Sequence, residues 1–124
     1  MIHLDTHAAI WLAEANERRL SRTARRLIDR QPLAISPGVV LELEVLSEIG
    51  RLQNPPAAIL ARLYDQADVS LSATSFADIV AAATTFAWTR DVFDRLIVAN
   101  AMADGARLLT ADQMILDNFR DAVW

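Results

Sequence analysis

The stretch Arg90 to Asp112, RDVFDRLIVANAMADGARLLTAD, decides how the rest of the chain is read. It runs turn, helix, turn, strand, with a carboxylate at each end. Asp94 stands at the start of a run, Leu96-Ile97-Val98-Ala99 then Ala101-Met102-Ala103, that is almost wholly apolar. A segment apolar all round predicts a buried helix. Gly105 falls where helices end in a left-handed cap. Leu108-Leu109 then predicts a short buried strand. Thr110-Ala111-Asp112-Gln113 fits a capping box, with Thr110 as N-cap and Gln113 reaching back. This places Asp112 just past the carboxyl end of a strand, on the first turn of the next helix. In open α/β sheets ligands bind at that edge, and packing alone does not explain an acid there.

Working outward, the same alternation recurs. Met1 to Asp5 predicts a first strand, with Ile2 and Leu4 on one side and His3 on the other. Asp5 ends it, and Thr6 opens a helix through Ile10, Trp11 and Ala13 that fades near Asn16. Ser21 is an N-cap for a helix with Ala24, Leu27 and Ile28 on its apolar face, ended by Pro32. Leu33-Ala34-Ile35 is a strand. Ser36-Pro37 then opens a helix to about Ile49, closed by Gly50. After Asn54-Pro55-Pro56 comes a helix bearing Ile59, Leu60 and Leu63. Asp68 to Leu71 reads as a strand, and Ser75 caps a helix with Phe76, Ile79, Val80 and Ala83. Trp88 to Asp91 is a connector. Beyond the opening stretch lie a short helix at Met114-Ile115-Leu116 and an edge strand at Ala122-Val123-Trp124. Strands alternating with helices predict an α/β domain, a mostly parallel sheet with helices on both faces. No repeat or linker interrupts residues 1–124, so the expectation is a single domain.

Composition narrows the function. Hydrophobic residues make up 53% of the 124, enough for a sizeable core. There is no cysteine, which excludes disulfides and thiolate metal sites. The N-terminus lacks the basic region of a signal peptide, and no apolar run is long enough to span a bilayer. The expected compartment is the cytoplasm, without a membrane partner. Net charge is −4 and there is no lysine, which argues against a general DNA-coating protein.

Asp5, Asp94 and Asp112 lie at the ends of apolar elements. Glu42 lies within the helix from Pro37, on an arc shared with Val39, Val45, Leu46 and Ile49, while Glu44 and Glu48 pair on the opposite face. An acid on an apolar arc is costly unless paired or bound to a metal. Each acid has an ordinary explanation. Asp94 and Asp112 suit a helix N-terminus, Asp5 suits a turn, and Glu42 has a candidate partner in Arg95. Together, however, Asp5 and Asp112 leave the same edge of a parallel sheet, within reach of Asp94 and Glu42 on helices. Carboxylates gathered without lysine repel one another unless a divalent cation intervenes. An all-oxygen set suits Mg²⁺ or Mn²⁺, and such a centre serves phosphodiester cleavage.

The segments LDTHAAIWL (Leu4–Leu12), SPGVVLELEVLSEIGRL (Ser36–Leu52) and RDVFDRLIVANAMADGARLLTAD resemble, in order and spacing, the PIN-domain family, and within it the VapC-type toxins of toxin–antitoxin pairs. The resemblance implies a Rossmann-like fold and a metal-dependent ribonuclease whose acids are Asp5, Glu42, Asp94 and Asp112, with Thr110 as a supporting hydroxyl. It also implies a homodimer and a VapB-like antitoxin partner, with the helix surfaces near Trp11 and from Pro37 to Ile49 as candidate grooves. One departure is Thr89-Arg90-Asp91-Val92-Phe93-Asp94, where similar toxins commonly read HRDPFD; without the proline the turn loses a fixed φ.

Other residues carry less. His3 and His7 flank Asp5, but a lone histidine is a weak metal motif. Six arginines fall between Arg18 and Arg30, a pattern that suits a solvated helix face or a local phosphate-binding patch. Trp11, Trp88 and Trp124 read as core or dimer contacts. A phosphoacceptor receiver domain needs a lysine, and this chain has none. A nucleotide-binding module needs a glycine-rich loop, and there are only three glycines. A non-catalytic PIN-like scaffold binding RNA or a protein remains the alternative to the nuclease.

Overall fold

Strand residues whose neighbours point to opposite faces, yet are all buried, require cover on both sides of the sheet. The first two strands, β1 (Ile2–Leu4) and β2 (Leu33–Ile35), meet this condition at every residue. In a computed structural model describing residues 1–124, five strands form one sheet in the order β3-β2-β1-β4-β5, every pairing parallel. The others are β3 (Val69–Leu71), β4 (Arg107–Leu109) and β5 (Ala122–Val123). Seven α-helices connect them: α1 (Thr6–Ala13), α2 (Arg22–Arg30), α3 (Pro37–Glu48), α4 (Pro56–Asp65), α5 (Phe76–Ala83), α6 (Val92–Ala103) and α7 (Gln113–Asn118). The α/β expectation holds. No helix is long and apolar enough to cross a membrane.

The chain builds outward from β1 to β2 and β3, then returns to the other side of β1 with β4 and β5. The strand order therefore reverses between β1 and β4. The register sets Leu4 beside Leu109, so Asp5 and Thr110 are the first residues beyond the sheet on either side of the reversal. Ile2, Leu4, Ile35, Val39, Leu43, Ile59, Leu63, Ile97, Leu108 and Leu109 form the central core. Trp11, Trp88 and Trp124 are half-buried against it.

Several elements differ from the sequence reading. Thr110 is not the cap of α7. Asp112 is, accepting from the Ile115 amide at 3.1 Å, while Gln113 bonds Asp117 instead of reaching back. Thr110 Oγ1 accepts instead from the Asp112 amide, at 3.0 Å, while its hydroxyl donates across the sheet to Asp5. The third strand starts at Val69, since Asp68 has a left-handed φ of 53°. On α3 the buried residues are Val39 and Leu43, and Ile49 is 58% exposed. Ile49 lies past the last helical residue, where the helical arc no longer governs its direction. A short 3-10 turn, Glu17–Arg19, follows α1.

His3, on the middle of β1, is not near the acids. Its Nε2 meets Asp104 Oδ2 at 2.7 Å, beyond the end of α6. Asp104 also accepts from Ser72, Thr74 and Asn100. Burial holds the His3 pKa below its ordinary value. Burial alone would raise Asp104, but the bonds from Thr74, Ser72 and His3 hold it below the usual carboxylate range. The network ties β1, the exit of β3 and the end of α6 together. Asp104→Ala should cost about 1–3 kcal/mol, because it leaves the buried His3 ring without its partner. Asp121→Ala, at an exposed ion pair with Arg120, should stay within about 0.5 kcal/mol. Urea unfolding of the two variants measures the contrast.

Candidate active site

Each acid of the site is placed by a local rule. Asp5 is the N-cap of α1: its Oδ1 accepts from the Ala8 amide at 2.8 Å, and its own N–H donates to Leu109 O at 3.1 Å. Its Oδ2 accepts from the Thr110 hydroxyl. Asp112 caps α7, and its amide donates to Thr110 Oγ1 at 3.0 Å. Thr110 thus sits between the two acids that leave β1 and β4. Glu42 enters from α3 and accepts from the Thr6 hydroxyl on α1. Asp94 enters from the first turn of α6, whose N-cap is Asp91; Asp91 Oδ1 accepts from the Asp94 amide at 3.0 Å.

These residues line one pocket of about 400 Å³, bounded by Asp5, Thr6, His7, Trp11, Glu42, Asp91, Asp94, Ala111 and Asp112. The structure therefore brings the four acids named from the sequence to one place, at the strand-order reversal where open α/β sheets bind ligands. The Arg95 alternative for Glu42 is overturned. Arg95 donates to the backbone carbonyls of Ala83 and Phe86, at 3.0 and 2.7 Å, and no arginine lines the pocket. His7 borders it and His3 does not. Sequence reading missed two members. Asp91, three residues before Asp94, carried the signal of an N-cap. Thr6 was read only as a helix start; its link to Glu42 depends on α1 and α3 packing together, which no local pattern reveals.

The electrostatics follow from this crowding. Burial pushes the Asp5 carboxyl up, opposed by the bonds from Thr110 and Ala8 and by His7; Asp112 adds repulsion. Asp94 is pushed up to about 7, first by burial and then by Asp91, Asp112, Glu42 and Asp5. Its own carboxylate accepts no hydrogen bond from the protein. The donor set is carboxylate and hydroxyl oxygen without thiolate, which suits a small hard cation. As placed, no three of the pocket's carboxylates and histidine stand close enough together to hold one metal ion.

A model of the PIN domain family matches residues 2–121. Among solved structures, the fold is similar to a chain in the VapBC2 complex of Rickettsia felis bound to a promoter DNA fragment. The TM-score is 0.68 at 18% identity, over 99% of this chain and 96% of that one. A toxin–antitoxin complex from Klebsiella pneumoniae gives a TM-score of 0.62 at 16% identity, covering 100% and 97% of the two chains. No curated protein matches the chain.

The raised Asp94 pKa has a consequence for folding. A carboxyl that binds its proton more tightly when folded than when unfolded makes stability fall as pH rises between the two pKa values. For Asp94 that window runs from its ordinary value of 3.8 to about 7. In the absence of divalent metal, the melting temperature should decline across this window. Asp94→Asn should flatten the decline and raise the midpoint at a pH of about 8, where the parent carboxyl is ionised. A wild-type profile retained by the variant would assign the pH dependence elsewhere.

Proposed function

The chain belongs to the PIN-domain family, and on that premise we propose that it is a Mg²⁺- or Mn²⁺-dependent endoribonuclease, the VapC-type toxin of a toxin–antitoxin pair. The observation that carries the reading is the meeting of Asp5, Glu42, Asp94 and Asp112 around one pocket without an arginine. Those four acids are the proposed metal holders and catalytic residues. The bound cation supplies charge neutralisation and Lewis acidity at the scissile phosphate.

The chain's own groups prepare the site. Thr110 and the Ala8 amide fix both oxygens of Asp5, so that acid does not rotate. Thr6 steadies Glu42 from the neighbouring helix. Asp94, with no protein donor on its carboxylate and a pKa raised to about 7, is the member best suited to exchange a proton or accept a cation. Unpaired RNA is the proposed substrate, because an open acidic pocket at a sheet edge admits a flexible strand more readily than a stiff duplex. A VapB-like antitoxin and a second copy of the chain are the proposed protein partners. The exposed Leu41, Phe76 and Val92, at 58%, 67% and 67%, support surfaces that become covered on assembly. The cytoplasm is the proposed compartment.

Purified protein should cleave single-stranded RNA with Mg²⁺ or Mn²⁺, and both EDTA and Asp5→Ala should stop it. Metal should also raise the melting temperature by mass action. Glu42→Gln should lower metal-dependent cleavage by at least about tenfold with little loss of folding. Glu44→Gln, on the exposed face of α3, should alter neither. Cleavage that persists in EDTA, or a Glu42→Gln protein as active as the parent, would remove the metal mechanism or Glu42 from it.

A further inference from the structure

A site that repels anions must still hold a polyanion, so cations are needed close by but outside the acid cluster. The acidic pocket opens beside a second one of about 520 Å³, lined by His7, Ile10, Trp11, Glu14, Asn16, Arg19, Leu46, Arg51, Leu52 and Gln53. His7 and Trp11 border both, so the second pocket adjoins the first. Arg19 and Arg51 are its cations. Neither is in a salt bridge, the ion pairs of the structure being His3–Asp104 and Arg120–Asp121. Glu14, the acid on this wall, lies within 3.4 Å of the Asn54 side-chain amide, which donates to it. The Arg19 guanidinium sits 5.6 Å from the centre of the Trp11 ring, and Trp124 meets that ring edge-on at 5.6 Å. Stacking on an aromatic face restricts the guanidinium without consuming its hydrogen-bond donors.

We propose that this pocket is a phosphate subsite for the RNA strand flanking the scissile bond, with Arg19 and Arg51 as the binding residues and Trp11 as the positioning residue for Arg19. The inference rests on the ribonuclease reading for the identity of the polyanion. It also sorts the arginine-rich segment. Arg19 lines the second pocket, whereas Arg22 and Arg26 are exposed on α2 and line neither pocket.

The test is fluorescence anisotropy with a labelled single-stranded RNA oligomer and Mg²⁺, in an Asp94→Asn background that holds turnover down. Arg19→Ala/Arg51→Ala should weaken binding by about tenfold or more at low salt. It should also flatten the plot of log affinity against log salt by about 0.7 for each phosphate no longer neutralised. Arg19→Lys/Arg51→Lys, which keeps charge but loses the stacked fork, should recover the salt slope and only part of the affinity. Arg22→Ala/Arg26→Ala should bind as the background does. Unaltered melting temperatures would show that the variants fold. Equal RNA affinity in the Arg19/Arg51 double variant and the background overturns the proposal, as does a background that binds no RNA. If the double variant keeps its RNA affinity but loses a protein partner, the pocket is a protein site and the proposal fails. The two failures are distinguishable. Cleavage unaffected by Arg19→Ala/Arg51→Ala leaves the nuclease standing without the subsite. RNA binding lost in that variant, from a protein that cleaves nothing, leaves an RNA-phosphate site but overturns both the nuclease and the site's place beside a scissile bond.

Discussion

Like-charge repulsion at one edge of the sheet is the constraint that the rest of the structure answers. Asp5, Glu42, Asp91, Asp94 and Asp112 share one pocket with no arginine in its wall. The fold tolerates this by giving most of them donors. Asp5, Asp91 and Asp112 each cap a helix, where exposed amides favour negative charge. Thr6 and Thr110 supply hydroxyls to Glu42 and Asp5. Only Asp94 lacks such a donor, and its pKa is raised first by burial and then by the neighbouring acids. The charge is thus only partly relieved by the protein's own donors, which is the ground for the proposed cation.

The polar network at His3 obeys the opposite logic. There the charge is satisfied within the protein: His3, Ser72, Thr74 and Asn100 all direct donors at Asp104. The side chains that close this network come from β1, the β3 exit and α6, so it locks the scaffold on which the acid pocket stands. One molecule thus contains a carboxylate surrounded by donors, which serves structure, and a carboxylate surrounded by acids, which is the one proposed for chemistry.

Local rules made much of this legible. The apolar run at Leu96–Ala103 implied a helix, the caps at Ser21, Ser36 and Ser75 stand where the sequence puts them, and alternation implied a parallel sheet. Asp5, Glu42, Asp94 and Asp112 stood out because each lies where packing does not require an acid. What failed was choice between equivalent local patterns. Thr110 and Asp112 both suit a cap, and only the strand neighbour of Thr110 decides that its hydroxyl goes to Asp5. Ile49 extends a helical arc on paper but falls outside α3 in the fold. The His3–Asp104 bond spans 101 positions, and nothing in either neighbourhood announces the other. Arg19 looked like any arginine of its run until the turn after α1 set it over Trp11.

The position of β1 at the middle of the sheet governs when the site comes into being. Its partner on one side, β2, follows within the first third of the chain, but β4 begins only at Arg107. The Thr110–Asp5 bond closes across 105 positions. Contacts of such long range form late and slow folding. During synthesis, a nascent chain ending before β4 has neither Thr110 nor Asp112, and its Asp5 lacks the neighbour that holds it. The acid cluster therefore requires a chain that already includes β4 and the residues just after it: no shorter N-terminal segment brings Thr110 and Asp112 to Asp5.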